Sequence, residues 1–134
     1  MTDAEVVREL FAAFARRDAD AAARWIAPDA DFWAQGTGER VGRDGPYRGP
    51  DGLREYFADV ERTWEELEIE TGNLRTVPGA VVAFGTARGV TGGRRVEAPV
   101  IWMFRLRDGV VFHGRATRTA QEAEDLAEHA QDAE

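Results

Sequence analysis

The side chains best suited to acid/base chemistry in this sequence are His113 and Arg115, two positions apart near its end. A histidine titrates close to neutral pH, so His113 can act as a general acid or base. An arginine buried in an apolar interior needs a partner, because an unpaired charge there is very costly. The partner of Arg115 is either a protein carboxylate, Asp31 or Glu97, or an anionic ligand. His113 can equally be a hydrogen-bonded structural residue of a strand, so the sequence leaves its role open.

The composition argues against cysteine and metal chemistry. The chain has no cysteine and only two histidines, so it has no disulfide, no thiol nucleophile and no cysteine-ligated metal. The second histidine, His129, lies in an acidic segment that we expect to be exposed. The glycine-rich stretch 36–49 lacks the strand–turn–helix setting of a phosphate-binding loop. We therefore predict no metal site and no cofactor.

The length predicts a single domain, and the lack of cysteine is compatible with the cytoplasmic location that we expect. The 134 residues suit one hydrophobic core, so we assign the whole of 1–134 to one domain, with an acidic tail at about 130–134. The 17 basic and 25 acidic residues give a net charge of −8, which disfavours binding to nucleic acid and to anionic membranes. No apolar run reaches the length of a membrane span, and the acidic N-terminus does not resemble a signal peptide.

The elements that must position these side chains begin with helices. Apolar residues spaced three and four apart predict the helices, while clusters of glycine, proline and aspartate predict the breaks. The predicted elements of the first half are a helix over 3–17, a helix over 20–27 ended by Pro28, a strand over 29–35, an irregular loop over 36–49 and a helix over 50–67. We expect Tyr47 either to anchor this loop or to close over a pocket.

The second half of the chain is rich in β-forming residues. The predicted strands cover 68–77, 80–91, 94–107 and 110–117, and they are separated by Pro78-Gly79, Gly92-Gly93 and Asp108-Gly109. Breaks of two such residues are typical of β-hairpins. Thr119 and Glu122 resemble a capping box that begins a final helix ending near His129. Helices followed by antiparallel strands predict an α+β fold.

One strand segment bears on assembly. The run from Ala98 to Phe104 is apolar on both of its faces, whereas a strand in a sheet with one wet face should alternate. Helices can cover one face, and a second copy of the chain is the simplest cover for the other. We therefore predict a homodimer formed through the sheet. The alternative is that a loop or the C-terminal helix covers Ile101 and Met103.

Three stretches of the sequence carry a family resemblance. They are Leu10–Asp20 continued by Ala27–Asp31, then Gly45–Phe57, and then Val100–Val111. In this order and spacing they resemble the nuclear transport factor 2-like superfamily, which includes ketosteroid isomerase and the SnoaL-like polyketide cyclases. The resemblance extends from Val6 to Leu126. It implies a cone-shaped, curved antiparallel sheet wrapped around the N-terminal helices, as in the cystatin-like roll, with a small-molecule pocket inside the cone.

The resemblance, together with the alternation of side chains along a strand, implies which residues face this pocket. They are Trp102, Phe104, His113, Arg115 and Thr117 from the last two strands, and Leu10, Phe14, Tyr56 and Phe57 from the helices. The same aromatic side chains would also suit a filled core without a cavity. If the protein is an enzyme, we expect His113 to move the proton and Arg115 to hold an oxyanion.

The mechanisms of the superfamily can be compared with these positions. The ketosteroid isomerase mechanism needs a tyrosine, a carboxylate base and a protonated acid. The matching positions hold Leu10, Ala34 and Trp102, so we exclude that mechanism. The late acidic residue of the cyclases and the Asp–Arg–Asp set of the epoxide hydrolases also find no match. The histidine and aspartate of the dehydratases could correspond to His113 and Asp31.

The sequence thus predicts a protein that binds a small apolar or aromatic molecule as its partner. His113 and Arg115 could support isomerase, cyclase, dehydratase or hydrolase chemistry by acid/base catalysis. The first alternative is a binding or accessory protein without turnover. The second alternative is a purely interacting dimer whose cone is filled.

Overall fold

Helices and strands occupy most of the described part of the chain. The computed structural model describes residues 1–117, apart from the side chains of Gln35 and Thr117. The elements are α1 Asp3–Ala15, α2 Ala19–Ala23, β1 Ile26–Trp33, α3 Gln35–Arg40, β2 Tyr47–Arg48, α4 Gly49–Thr63, β3 Glu66–Val77, β4 Ala80–Thr91, β5 Arg94–Arg107 and β6 Val110–Thr117. The predicted final helix, its capping box and the acidic tail lie outside the described residues. No helix in the described part is long and apolar enough to cross a membrane.

The strands form one curved, unclosed sheet in the order β2-β1-β6-β5-β4-β3. Strands β3 to β6 make the predicted antiparallel meander. Strand β1 pairs parallel to β6 and antiparallel to the short β2. The N-terminal helices supply buried side chains to the same apolar core as the sheet, so the predicted α+β class is confirmed.

The hairpin turns form where the sequence predicts them. Asp108 and Gly109 both have positive φ, 54° and 80°, as do Gly92 and Gly93, at 57° and 75°. Two consecutive positive φ angles suit the tight turns that match the twist of antiparallel strands. Strands β4, β5 and β6 consequently begin and end at the predicted residues.

The first helix begins at a capping box. The Thr2 side chain accepts a hydrogen bond from the Glu5 backbone N–H, and the Glu5 side chain accepts one from the Thr2 N–H. These two bonds satisfy amide groups that have no partner within the helix. The helix then presents a buried stripe that includes Leu10 and Phe14, which brings both side chains to the inner face of the sheet.

Two predictions about the first half of the chain are wrong. Helix α2 ends at Ala23 rather than at Ala27, and Pro28 lies inside β1. A proline lacks an N–H, and the pairing of β1 with β6 shifts register between Ile26 and Asp31, where the missing donor is tolerated. The predicted loop 36–49 contains most of α3 and all of β2. The buried Thr37 accepts a hydrogen bond from Trp64 Nε1 at 3.1 Å, which ties α3 to the end of α4.

The sheet has an apolar cluster on each face. The larger one lies between the sheet and the helices. The smaller one, on the outer face, contains Ala80, Val82 and Met103. Met103 is only 1% exposed in the single chain, so it needs no second subunit to cover it. The homodimer therefore loses part of the argument that predicted it, and the dimer stays a prediction.

Candidate functional site

A cavity of about 70 Å³ lies between the helices and the inner face of the sheet. Six of the predicted pocket residues line it: Leu10, Phe14, Tyr56, Phe57, Trp102 and Phe104. The side chain of Thr117, also predicted there, lies outside the described part of the structure. Sequence reasoning missed further lining residues, namely Phe11, Ala22, Ile26, Ala30, Asp31, Phe32, Leu53, Ile69 and Val111. Most of these are small or aliphatic residues that sequence patterns do not distinguish from ordinary core.

Packed aromatic rings give the cavity its shape. The Phe14 ring lies 5.4 Å from the Phe57 ring, edge to face, and 5.9 Å from Tyr56. On the sheet, Trp102 and Phe104 are stacked at 5.7 Å with an angle of 10° between their planes. All three spacings fall in the range in which aromatic pairs attract one another. The walls are therefore apolar and held in place from both sides.

Few polar groups reach the cavity wall. Among the described lining residues only Asp31 and Tyr56 are ionisable. Burial raises the pKa of Tyr56 to about 12, so this phenol is neutral at physiological pH. The indole Nε1 of Trp102 is buried and has no hydrogen-bond partner among the described residues. An unsatisfied buried donor costs roughly 1–3 kcal/mol. The indole N–H of Trp102 is such a donor on a residue of the cavity wall.

His113 and Arg115 do not line the cavity, contrary to the prediction, because β6 contains a β-bulge. Arg105 pairs with His113, but the next residue of β5, Leu106, pairs with Val111, so Phe112 is an extra residue. An extra residue reverses the alternation of the side chains that follow it. Val111 consequently faces the cavity, whereas His113 and Arg115 face the opposite side of the sheet.

Gly114 confirms this change of face. A Cβ atom placed on Gly114 would lie 3.2 Å from the Phe104 ring and 3.3 Å from the Phe32 Cβ. Both phenylalanines line the cavity, so position 114 faces inward. Its neighbours in the strand, His113 and Arg115, must then face outward.

On the outer face the structure brings His113 together with Asp31. Their strands are parallel neighbours, and His113 Nδ1 lies 2.9 Å from Asp31 Oδ1. The other carboxylate oxygen accepts a hydrogen bond of 3.0 Å from Trp33 Nε1. Partial burial alone would raise the pKa of Asp31, but the hydrogen bonds from His113 and Trp33 hold it below its usual range. The ionised carboxylate accepts only, so His113 donates from Nδ1 and keeps Nε2 for other partners.

Arg115 lies beside this pair but contacts an aromatic ring. Its guanidinium carbon is 5.1 Å from the centre of the Trp33 ring, which is a cation–π distance. Of the two predicted carboxylate partners, Asp31 is engaged by His113 and Trp33. The other, Glu97, forms an ion pair with Arg88 at 3.7 Å. The outer face thus holds an oriented histidine, a carboxylate and a cation, separated from the cavity by the sheet.

Tyr47 is an anchor and not a lid. It is buried to 1% exposure, and its hydroxyl donates a hydrogen bond of 2.8 Å to Asp59 Oδ2 on α4. The Arg43 guanidinium lies 3.9 Å above its ring, and Arg62 pairs with the other oxygen of Asp59. This network fixes β2 to α4 and supports the Tyr56 side of the cavity. No sequence motif revealed Asp59, because an acidic residue on a helix is ordinarily exposed.

Solved structures share this fold at low sequence identity. A protein of unknown function from Burkholderia pseudomallei, described as NTF2-like, is 22% identical with a TM-score of 0.79, over 94% of this chain and 98% of its own. TerC, co-crystallised with polyporic acid, is 20% identical with a TM-score of 0.76, over 94% and 98%. A Catenulispora acidiphila protein with a ketosteroid isomerase-like fold, in complex with trimethylamine, is 14% identical with a TM-score of 0.72, over 87% and 86%. At these identities the likeness shows the fold alone.

A family model gives the sequence-level comparison. The model described as the SnoaL-like domain matches residues 7–126. This range contains both the cavity and the outer Asp31–His113 pair. No curated protein matches the sequence significantly.

Proposed function

Because this chain belongs to the family of SnoaL-like domains, we propose that it binds a small, largely apolar molecule in the cavity between the helices and the sheet. The observation that carries this proposal is the cavity itself, with its apolar and aromatic walls. Ligand pockets are mostly apolar with a few placed polar groups. TerC, which has the same fold, was crystallised with polyporic acid, and this supports a ligand in the cone.

The cavity also argues against a completely filled cone. Protein interiors are close-packed, and the voids they contain are few. A space of about 70 Å³ is left although aromatic rings surround it. An engineered cavity of about 150 Å³ takes up benzene, so we expect the ligand to be at most one ring, with some movement of the walls.

Binding without turnover is the form of this proposal that the cavity chemistry favours. A general base must lie within reach of the proton that it removes. The described cavity residues that could take a proton are Asp31 and Tyr56. The Asp31 carboxylate faces His113 and Trp33 on the outer side of the sheet, and both of its oxygens accept hydrogen bonds there. Tyr56 is a neutral phenol whose pKa is about 12. Neither group is prepared for acid/base chemistry at neutral pH.

Acid/base catalysis is a second candidate, and the contact of 2.9 Å between His113 and Asp31 favours it. An aspartate that fixes one ring nitrogen of a histidine prepares the other nitrogen for proton transfer. Arg115 would then stabilise an oxyanion, as predicted from the sequence. Such a reaction would take place on the outer face of the sheet. A screen of small carbonyl compounds in which His113→Ala does not slow any turnover would remove this candidate.

The assembly and location that the sequence predicts are compatible with this function. We expect a homodimer formed through the sheet and a cytoplasmic protein. Sedimentation equilibrium tests the first expectation, since a monomer at micromolar concentration would contradict it. Cell fractionation tests the second.

A cavity-filling variant tests the main proposal. Ala30 lines the cavity from β1, and Ala30→Val adds two methyl groups there while keeping a residue suited to a strand. The matched control is Ala98→Val, at an exposed position of β5. We expect compounds of one ring to bind the wild type and the control, and to bind Ala30→Val at least about tenfold more weakly, or about 1.4 kcal/mol. Equal binding to all three would place the ligand elsewhere.

A further inference from the structure

We infer that Trp102 selects the ligand by donating its indole N–H to a neutral oxygen acceptor. The cavity would then prefer small carbonyl compounds to hydrocarbons or carboxylates of the same shape. This inference rests on the proposed function, since it names the class of molecule that the cavity takes.

The indole N–H of Trp102 is an unsatisfied donor. Trp102 is 8% exposed and lines the cavity, and its Nε1 is buried without a hydrogen-bond partner in residues 1–117. An indole nitrogen is a donor only, so an acceptor is the one kind of group that can satisfy it. Two other indoles of the chain have such acceptors, at 3.0 Å for Trp33 and 3.1 Å for Trp64. Trp102 thus differs from them in holding an unused donor.

The other polar side chains of the described wall already have partners. The Asp31 oxygens accept from His113 and from Trp33. The Thr37 side chain interacts with the Tyr56 hydroxyl. We therefore propose that the acceptor for Trp102 comes from the molecule that occupies the cavity. A ligand oxygen placed there removes the cost of an unsatisfied buried donor, and a hydrocarbon leaves that cost in place.

The charge of the cavity wall disfavours an anionic ligand. No Lys, Arg or His belongs to the cavity wall in the described part of the chain. The Asp31 carboxylate, which is held by His113 and Trp33, faces the outer side of the sheet and supplies no counter-charge to the cavity either. An anion in apolar surroundings without a cation is very unfavourable. An anionic ligand, which was one of the two partners predicted for Arg115, would therefore find no cation in the wall, and the cavity favours a neutral acceptor.

Packing against neighbouring side chains fixes the orientation of the Trp102 ring. The Trp102 ring is stacked on Phe104, and Phe104 meets Phe11 edge to face at 5.8 Å. Across the sheet, Trp102 pairs with Ala83 and Ala116 on either side. A side chain held in this way loses little freedom when it binds, so its single hydrogen bond contributes to selectivity.

Three probes of nearly equal shape test the inference by NMR. Cyclopentanone carries the acceptor, methylenecyclopentane replaces the oxygen by a methylene group, and cyclopentanecarboxylate carries a negative charge. Each is titrated into uniformly ¹⁵N-labelled full-length protein while the indole N–H signals of the four tryptophans are followed. We expect the ketone to move the Trp102 indole proton downfield and to bind most tightly. The indole signals of Trp33 and Trp64 should stay in place.

The variant Trp102→Phe assigns the signal and removes the donor while keeping an aromatic ring. We expect it to bind the ketone roughly three- to tenfold more weakly and the alkene equally well, as the loss of one hydrogen bond implies. Trp64→Phe is the control, because it removes an indole that does not line the cavity. Equal affinity of the wild type for ketone and alkene, or tighter binding of the carboxylate, overturns the inference and leaves the proposed function standing. If no probe binds, both fail.

Discussion

The Tyr47–Asp59 hydrogen bond gives the sharpest stability prediction. Tyr47→Phe removes one hydroxyl and changes the shape of the side chain little. The hydroxyl donates to a carboxylate that is 2% exposed, so water cannot replace it. After the substitution, Asp59 keeps Arg62 as an ionic partner, but Oδ2 loses the Tyr47 hydroxyl.

The expected magnitude follows from the charge of the acceptor. Hydrogen bonds to charged groups contribute about 1.5–3 kcal/mol, against about 1 kcal/mol for neutral pairs. We therefore expect Tyr47→Phe to lower the free energy of unfolding by about 2 kcal/mol. Tyr56→Phe is the matched control, because its buried hydroxyl interacts with the neutral Thr37 and not with a carboxylate. The control should cost about 1 kcal/mol.

Urea denaturation followed by circular dichroism measures both variants. With a slope of about 2 kcal/mol per molar urea for a chain of this size, Tyr47→Phe should lower the midpoint by about 1 M and Tyr56→Phe by about half of that. The slope should not change. If Tyr47→Phe costs no more than Tyr56→Phe, the carboxylate is not held by the hydroxyl and the anchoring role of Tyr47 is refuted.

Three further predictions concern pH and backbone space. Burial raises the pKa of both tyrosines of the chain above the ordinary 10. Their contribution to stability is therefore complete below pH 10 and is lost as pH rises. Phenolate absorbance should appear only together with unfolding, and absorbance at a lower pH than unfolding would contradict the burial of the tyrosines. The pKa of Asp31 is lowered in the folded protein, so Asp31 stabilises the fold at pH values above its unfolded-state pKa. This stabilisation is lost as pH falls through its folded-state pKa. Asp31→Asn should therefore destabilise the protein at pH 7 and not at pH 2, as measured by paired urea titrations. Gly85→Ala should unfold or strongly destabilise the chain, because its Cβ would lie under 3 Å from the Glu70 backbone oxygen, whereas Gly72→Ala finds 3.5 Å and should melt within a few degrees of the wild type.

The second half of the fold was predictable because its signals are local. The hairpin breaks at Gly92-Gly93 and Asp108-Gly109 supply the positive φ angles that tight turns require. The first half was less predictable because its limits depend on distant contacts. Helix α3 contains two glycines, which disfavour a helix, yet its Thr37 is held by Trp64, 27 residues away.

The cavity residues were predicted better than the acid/base residues for a physical reason. Large apolar side chains such as Phe14 and Trp102 reveal their burial by their type and periodicity. The facing of His113 depends instead on register. An uninterrupted hairpin from Asp108-Gly109 would pair Phe104 with His113, whereas the bulge at Phe112 pairs Phe104 with Gly114. No residue type in the sequence marks that single extra position.

The bulge has a consequence for function, because it separates the two properties that the sequence seemed to combine. The apolar cavity lies on one face of β6, and the Asp31–His113 pair lies on the other. A substrate held in the cavity would have the sheet between it and His113, so one bound molecule cannot use both. If turnover exists and depends on His113, a saturating cavity ligand should therefore leave its rate unchanged. Competitive inhibition by that ligand would show that the reacting molecule occupies the cavity, and would refute the separation of the cavity from His113.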